Sequence, residues 1–171
     1  RLVYTSSPSV VQRYESIEGA DERLDYPDSH HTHYQATKAL AEREVVAASC
    51  DALLTVSLRP RMIWGPGDTQ IAPRVIDRRR SGRLKLVGDG SQLVDSIHID
   101  NAALGHMLAL DALQPGAACV GKVYFLTNGE PWPLAKLMNA ILSAADEQPV
   151  TATVSPRFAW VAGSIFEAVW R

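Results

Sequence analysis

The 171-residue sequence is 46% hydrophobic and 21% charged, the balance of an ordinary folded protein with room for one domain and a buried core. A formal net charge of −2 supplies no pull toward nucleic acid or an anionic surface, so a nucleic-acid partner is not expected. Cys50 and Cys119 are too few for a disulfide framework, and no apolar run reaches the roughly 18 residues of a membrane span.

The chain opens on Arg1-Leu2-Val3-Tyr4, already reading as a strand and lacking an initiating methionine, so further sequence is expected ahead of it. Leu2 to Thr5 predicts a buried strand that ends in the small polar cluster Ser6-Ser7-Pro8-Ser9. Residues 12–33, with Gly19, Pro27 and many charges, read as a long surface loop, a feature that is usually functional. From Tyr34 to about Ser49, Ala36, Ala39, Leu40, Val45 and Val46 recur among Lys38, Glu42, Arg43 and Glu44, which predicts an amphipathic helix. Leu53 to Leu58 predicts a second strand, stopped at Arg59-Pro60. Strand, helix and strand in this order signal a crossover in a parallel sheet.

Ile63-Trp64-Gly65-Pro66-Gly67-Asp68 reads as a turn-rich loop, followed by a helix over Ala72 to Ser81. Short strands are predicted at Leu84 to Val87 and Ser96 to Ile99. A helix capped by Asp100 or Asn101 then runs to about Leu113. Val123 to Leu126 predicts a strand, Leu134 to Ala145 a helix, Thr151 to Val154 an extended segment, and Pro156 the start of a final apolar helix.

Tyr34 and Lys38 stand four apart, which on a helix puts both side chains on one face, about 5–6 Å apart at Cβ. Such a pair suits acid/base chemistry. Bringing a phenol from its reference pKa of ~10 to neutrality takes ~4 kcal/mol. An ammonium ~6 Å away, at an effective dielectric of ~20, supplies roughly 2.8 kcal/mol of that. A second positive charge must complete it, and an oxidised nicotinamide ring is a natural source.

Tyr34-Gln35-Ala36-Thr37-Lys38, preceded by Val3-Tyr4-Thr5-Ser6-Ser7 and followed by Arg59-Pro60 and Trp64-Gly65-Pro66-Gly67-Asp68, resembles the extended short-chain dehydrogenase/reductases. Within that family, Tyr4 to Val11 and Gly121-Lys122 through Thr127-Asn128-Gly129-Glu130-Pro131 are most similar to the 3β-hydroxysteroid dehydrogenase branch. The likeness extends to its 2-alkyl-3-oxoalkanoate reductases and sterol-4α-carboxylate 3-dehydrogenases. The resemblance implies an α/β fold: the C-terminal part of a doubly wound parallel-sheet (Rossmann-type) domain plus a small substrate-binding domain. Residues 1–171 would be one incomplete unit, with 1–68 its catalytic half and 69–171 mainly the substrate-binding region.

The resemblance also implies roles. Tyr34 would be the general acid/base, Lys38 the holder of the nicotinamide ribose, and Ser7 a hydrogen-bond donor to the reacting oxygen. Thr5, Ser6, Tyr34, Lys38, Pro60 and Ile63 would contact NAD or NADP. The reaction would interconvert a ketone and a secondary alcohol on a hydrophobic β-keto acid or sterol. A cytoplasmic location and a homodimer are the accompanying expectations. Two alternatives stay open: a nucleotide-sugar epimerase or dehydratase of the same family, and a non-catalytic binding module. The Gln92-Leu93-Val94-Asp95 run weighs against the epimerase, because Val94 stands where those enzymes usually carry a phosphate-pairing arginine. The family's glycine-rich phosphate cradle is missing; Gly65-Pro66-Gly67 and Gly88-Asp89-Gly90 are expected in loops without a strand-turn-helix setting. By itself the chain should bind cofactor poorly.

His30, His31 and His33 have metal-ligand spacing only if helical, so no metal site is expected. The basic run Arg78, Arg79, Arg80, Arg83 and Lys85 reads as a solvated helix end. Phe158, Trp160, Val161, Ile165, Phe166, Val169 and Trp170, bracketed by Arg157 and Glu167, suggest a substrate-cap helix or one that touches a membrane surface.

Overall fold

The computed structural model describes residues 1–13 and 17–169, with side chains as far as Ile165. In chain order its elements begin with β1 (Leu2–Thr5), a 3-10 turn (Pro8–Val11), α1 (His33–Ala47), β2 (Thr55–Pro60), β3 (Met62–Trp64), α2 (Ile71–Arg80) and β4 (Leu86–Val87). They continue with β5 (Leu93–Val94), β6 (Ser96–His98), α3 (Ile99–Ala112), β7 (Lys122–Leu126), β8 (Trp132–Pro133), α4 (Leu134–Ala144), β9 (Thr153–Val154) and α5 (Pro156–Val169). The chain divides into two compact units, Arg1–Gly65 with Ser96–Gly129 and Pro66–Asp95 with Glu130–Arg171.

The first unit is built on a parallel sheet in the order β1-β2-β7. Leu2 to Thr5 align with Thr55 to Leu58, and Val56 to Pro60 with Lys122 to Leu126. The α/β class with parallel pairing is therefore as expected. Only the central strand β2 is buried along its whole length. The expectation of a buried first strand is corrected: β1 is an edge strand among the described residues, with its ends exposed.

Alternation along β2 gives the sheet two unlike faces. Val56 and Leu58 join Leu54, Leu113, Val3 and Ala109 in an apolar core toward α3. Thr55, Ser57 and Arg59 point the other way, toward α1, where the Thr55 hydroxyl donates to the Val45 carbonyl at 2.9 Å and Arg59 meets Glu42. That polar face explains two corrections. β2 does not stop at Leu58 but continues through Arg59, which is neutralised where it is buried, to Pro60, which has no N–H to carry the ladder further. Helix α1 does not sort its residues by hydrophobicity either. Leu40 is 61% exposed while Glu42 is fully buried, since the strand beneath offers the cation of Arg59.

Residues 62–64, read as partly loop, form β3, which pairs in parallel with β6. The cap of α3 is also corrected: it is His98, whose Nδ1 accepts from the Asp100 backbone N–H at 3.3 Å. Asn101 turns aside to donate to Asn128 Oδ1 at 3.0 Å.

The second unit has its own core of Val75, Leu84, Leu86, Leu142 and Val150. It pairs β4 with β9 in parallel and β5 with β8 antiparallel. Part of its basic run is tied down: Arg80 pairs with Glu147 at 2.7 Å and Arg79 donates to the Gln148 carbonyl at 2.7 Å. Along α5, Phe158, Trp160, Val161 and Ile165 are exposed. The side chains of Phe166, Glu167, Val169 and Trp170 lie outside the described residues. No helix among the described residues is long and apolar enough to cross a membrane.

Candidate active site

Helix α1 starts where it does because Thr32 and Gln35 form a reciprocal capping box. Thr32 Oγ1 accepts from the Gln35 N–H at 3.2 Å, and Gln35 Oε1 accepts from the Thr32 and His31 N–H groups at 3.2 and 2.9 Å. Gln35 is itself buried and also donates to Gln12 Oε1 at 3.3 Å. The cap fixes the first turn, and Tyr34 sits in it. The residue is 57% exposed, and its hydroxyl makes no hydrogen bond among the described residues.

One turn later Lys38 reaches across to β1. Its ammonium donates to the Thr5 carbonyl at 2.9 Å and stands 5.1 Å from the centroid of the Tyr4 ring. No carboxylate among the described residues pairs with it. The Thr5 side chain meets α3 instead: its Oγ1 lies 2.8 Å from His106 Nε2, and His106 Nδ1 lies 2.7 Å from the Ala102 carbonyl. A carbonyl only accepts, so Nδ1 carries the proton in a neutral ring, Nε2 is left as acceptor, and the Thr5 hydroxyl donates.

Ser7 closes β1 and caps the 3-10 turn. Its Oγ accepts from the Ser9 N–H at 3.2 Å and lies 2.8 Å from Ser9 Oγ. Val10 and Val11 of that turn are buried against Ala39, the residue after Lys38. The Ser7 turn and the Tyr34/Lys38 helix are thus packed together through one apolar contact. Ser6 points to the α1 side, buried, its hydroxyl without a well-formed partner. Pro60 is buried at the end of β2, and Ile63 is exposed on β3.

Beneath α1 lies a network that sequence reasoning missed. Glu42 and Arg59, 0% and 1% exposed, share two-pronged bonds: Arg59 Nε reaches both carboxylate oxygens at 3.2 and 3.0 Å, and Nη2 reaches Oε1 at 2.6 Å. Tyr26 donates its hydroxyl to the same oxygen at 2.6 Å, which pins the long loop to the core. Burial alone pushes the Glu42 carboxyl up. Hydrogen bonds from Arg59 and Tyr26, helped by the nearby Ser6 hydroxyl and the Arg59 charge, outweigh burial and hold it below the usual range. The Tyr26 phenol is pushed up to about 12, by burial first and then by the carboxylate it bonds. Two signals were present in the sequence: Glu42 continues the Tyr34, Lys38 spacing by another four residues, and Arg59 sits inside an apolar strand.

A nicotinamide dinucleotide fits part of this arrangement. The free phenol of Tyr34 and the ammonium of Lys38, engaged only by a carbonyl and a ring, suit a ribose and a nicotinamide. The phosphates are another matter. Gly65-Pro66-Gly67 lies between β3 and α2. Yet the leading N–H groups of α2 are occupied by Asp68, which accepts from Gln70, Ile71 and Ala72 at 2.7, 3.0 and 2.8 Å. A helix end already holding its own carboxylate is not an anion site.

The sequence model described as "3-beta hydroxysteroid dehydrogenase/isomerase family" matches residues 1–156. A "2-alkyl-3-oxoalkanoate reductase" of Stenotrophomonas maltophilia is 53% identical over 99% of this chain and 52% of its own length. The "sterol-4-alpha-carboxylate 3-dehydrogenase erg26, decarboxylating" of Schizosaccharomyces pombe is 37% identical over 91% of this chain and 46% of its own length. Among solved structures, a UDP-glucuronic acid 4-epimerase from Bacillus cereus in complex with NAD superposes with a TM-score of 0.70 at 20% identity, over 90% of this chain and 49% of that one. That last likeness concerns the fold alone. The chain spans about half the length of the curated relatives it matches.

Proposed function

The chain belongs to the 3-beta hydroxysteroid dehydrogenase/isomerase family, and on that premise we propose that the whole protein is an NAD- or NADP-dependent oxidoreductase. It interconverts a ketone and a secondary alcohol on a hydrophobic substrate, a β-keto or β-hydroxy acid or a sterol. The names of the two relatives support that substrate class. Val94 supports it as well, since valine offers nothing to a sugar diphosphate.

The observation that carries the reading is the placement of Lys38. Its contact with the Thr5 carbonyl ties helix α1, which carries Tyr34, to the end of β1, from which the Ser7 turn follows, and that supports the reading. When bound, the nicotinamide supplies or accepts the hydride at the substrate carbon. Tyr34 delivers its phenolic proton to the carbonyl oxygen during reduction and recovers it during oxidation. Lys38 stabilises the phenolate left behind and holds the ribose hydroxyls. Ser7 donates to the same substrate oxygen. Thr5, Ser6, Pro60 and Ile63 would help hold the nicotinamide.

The test is the full-length protein with NADH or NADPH and either a long-chain β-keto ester or a UDP-sugar. Oxidation of the reduced cofactor with the β-keto ester is expected. Turnover of the UDP-sugar alone would replace this reading with the epimerase one. The exposed apolar residues of α5 favour one addition, a cytoplasmic protein that touches membrane surfaces. Sedimentation with liposomes should fall on truncation at Ser155, and an unchanged pellet would remove that addition.

A further inference from the structure

We propose that Ser9 is a positioning residue that turns the Ser7 proton toward the substrate, an inference that rests on the assignment of Ser7 above. A serine oxygen has one proton and two lone pairs. At Ser7 one lone pair is taken by the Ser9 backbone N–H at 3.2 Å. The 2.8 Å contact between the two hydroxyls has two senses. If Ser7 donates, its only proton is spent on Ser9, and a carbonyl oxygen arriving at Ser7 meets a lone pair. If Ser9 donates, both lone pairs of Ser7 are filled, and its proton is the one group left to offer. Only the second sense lets Ser7 stabilise a ketone oxygen or the alkoxide character that develops on it.

The scaffold suits such a device. Val10 and Val11, directly after Ser9, are 0% and 1% exposed and packed on Ala39 beside Lys38. The turn also closes on itself through the Val10 and Gln12 N–H groups, which reach the Ser7 and Ser9 carbonyls at 3.2 Å. The Ser7–Ser9 geometry is therefore set by backbone and core, independently of the Ser9 hydroxyl. Ser9→Ala keeps every one of those contacts and deletes only the donor.

In the full-length enzyme, reducing a long-chain β-keto ester, Ser9→Ala should lower kcat about three- to tenfold, the worth of one directed hydrogen bond. KM should stay within twofold, and Ser9→Thr should restore the rate. Ser7→Ala should cost more, and adding Ser9→Ala to it should change kcat by less than twofold, since the second hydroxyl acts only through the first. A merely structural Ser9 would slow both backgrounds equally, and that result would overturn the proposal. So would a Ser9→Ala rate within twofold of wild type when Ser7→Ala is slow. A Ser7→Ala enzyme at full rate would instead remove the assigned role of Ser7, and the Ser9 device with it.

Discussion

Tyr34 and Tyr26 carry the same phenol in opposite settings. The first is exposed and makes no hydrogen bond among the described residues, whereas the second is locked onto a buried carboxylate. A phenol already committed to an internal partner is a poor proton donor for a substrate, which supports proposing Tyr34 rather than Tyr26 as the acid/base. Tyr34→Phe in the full-length enzyme should lower kcat/KM by about two to four decades, the usual worth of a positioned acid/base. Circular dichroism should show an unchanged fold. A loss below about threefold would count against the assignment. Tyr26→Phe should act on stability instead. Its folded-state value lies above the ~10 of a free phenol, so the stability it contributes is fully present below pH ~10 and is lost as pH rises toward about 12. Urea titrations across that window should show the gap between wild type and Tyr26→Phe closing. A gap that stays constant would contradict the raised value.

At the scale of elements, α1 and β2 are joined by charge. Removing one member of a buried pair leaves the other uncompensated, so Glu42→Gln should destabilise the protein by ~3–5 kcal/mol. Glu42→Leu combined with Arg59→Met should recover much of that, because two well-packed apolar groups replace two desolvated charges. Denaturant melts of the three variants would decide; a double variant as weak as the single would argue against the account. The sign with pH follows from the lowered Glu42 value: the contribution is present above the ordinary carboxylate range and is lost as pH falls through the folded-state value. These elements also show what the sequence could tell. Helices α1, α2 and α4 were legible to within a few residues because their spacing and flanking breakers are local properties. Tyr34, Lys38 and Ser7, the proposed site, stand out in the sequence as a pattern. Glu42 was not, since a glutamate on a helix looks solvated until the strand beneath it is known to present Arg59. The His98 cap was missed for a related reason: imidazole is a rare cap, and its fit depends on the close approach of Gly65, where an added Cβ would lie 2.9 Å from His98 Nε2. The short pairs β5 with β8 and β4 with β9 join segments far apart in sequence, which no local window contains.

For the molecule as a whole, the 171 residues hold the helix and the serine turn proposed for the acid/base chemistry, and the N-terminus of α2 is closed to phosphate by Asp68. Isothermal calorimetry on this chain alone should therefore detect no NAD or NADP binding in the micromolar range. Tight binding would show that a phosphate site exists within it. The two unlike faces of the central sheet have a consequence for folding too. Were β2 to enter the sheet one residue out of step, Arg59 would be thrust among Leu54, Leu113 and Ala109 while Leu58 faced the acid of Glu42. Both errors are costly at once. The strand thus proofreads its own alignment: a chain that has found the right partner strands in the wrong frame gains neither the apolar core nor the buried ion pair.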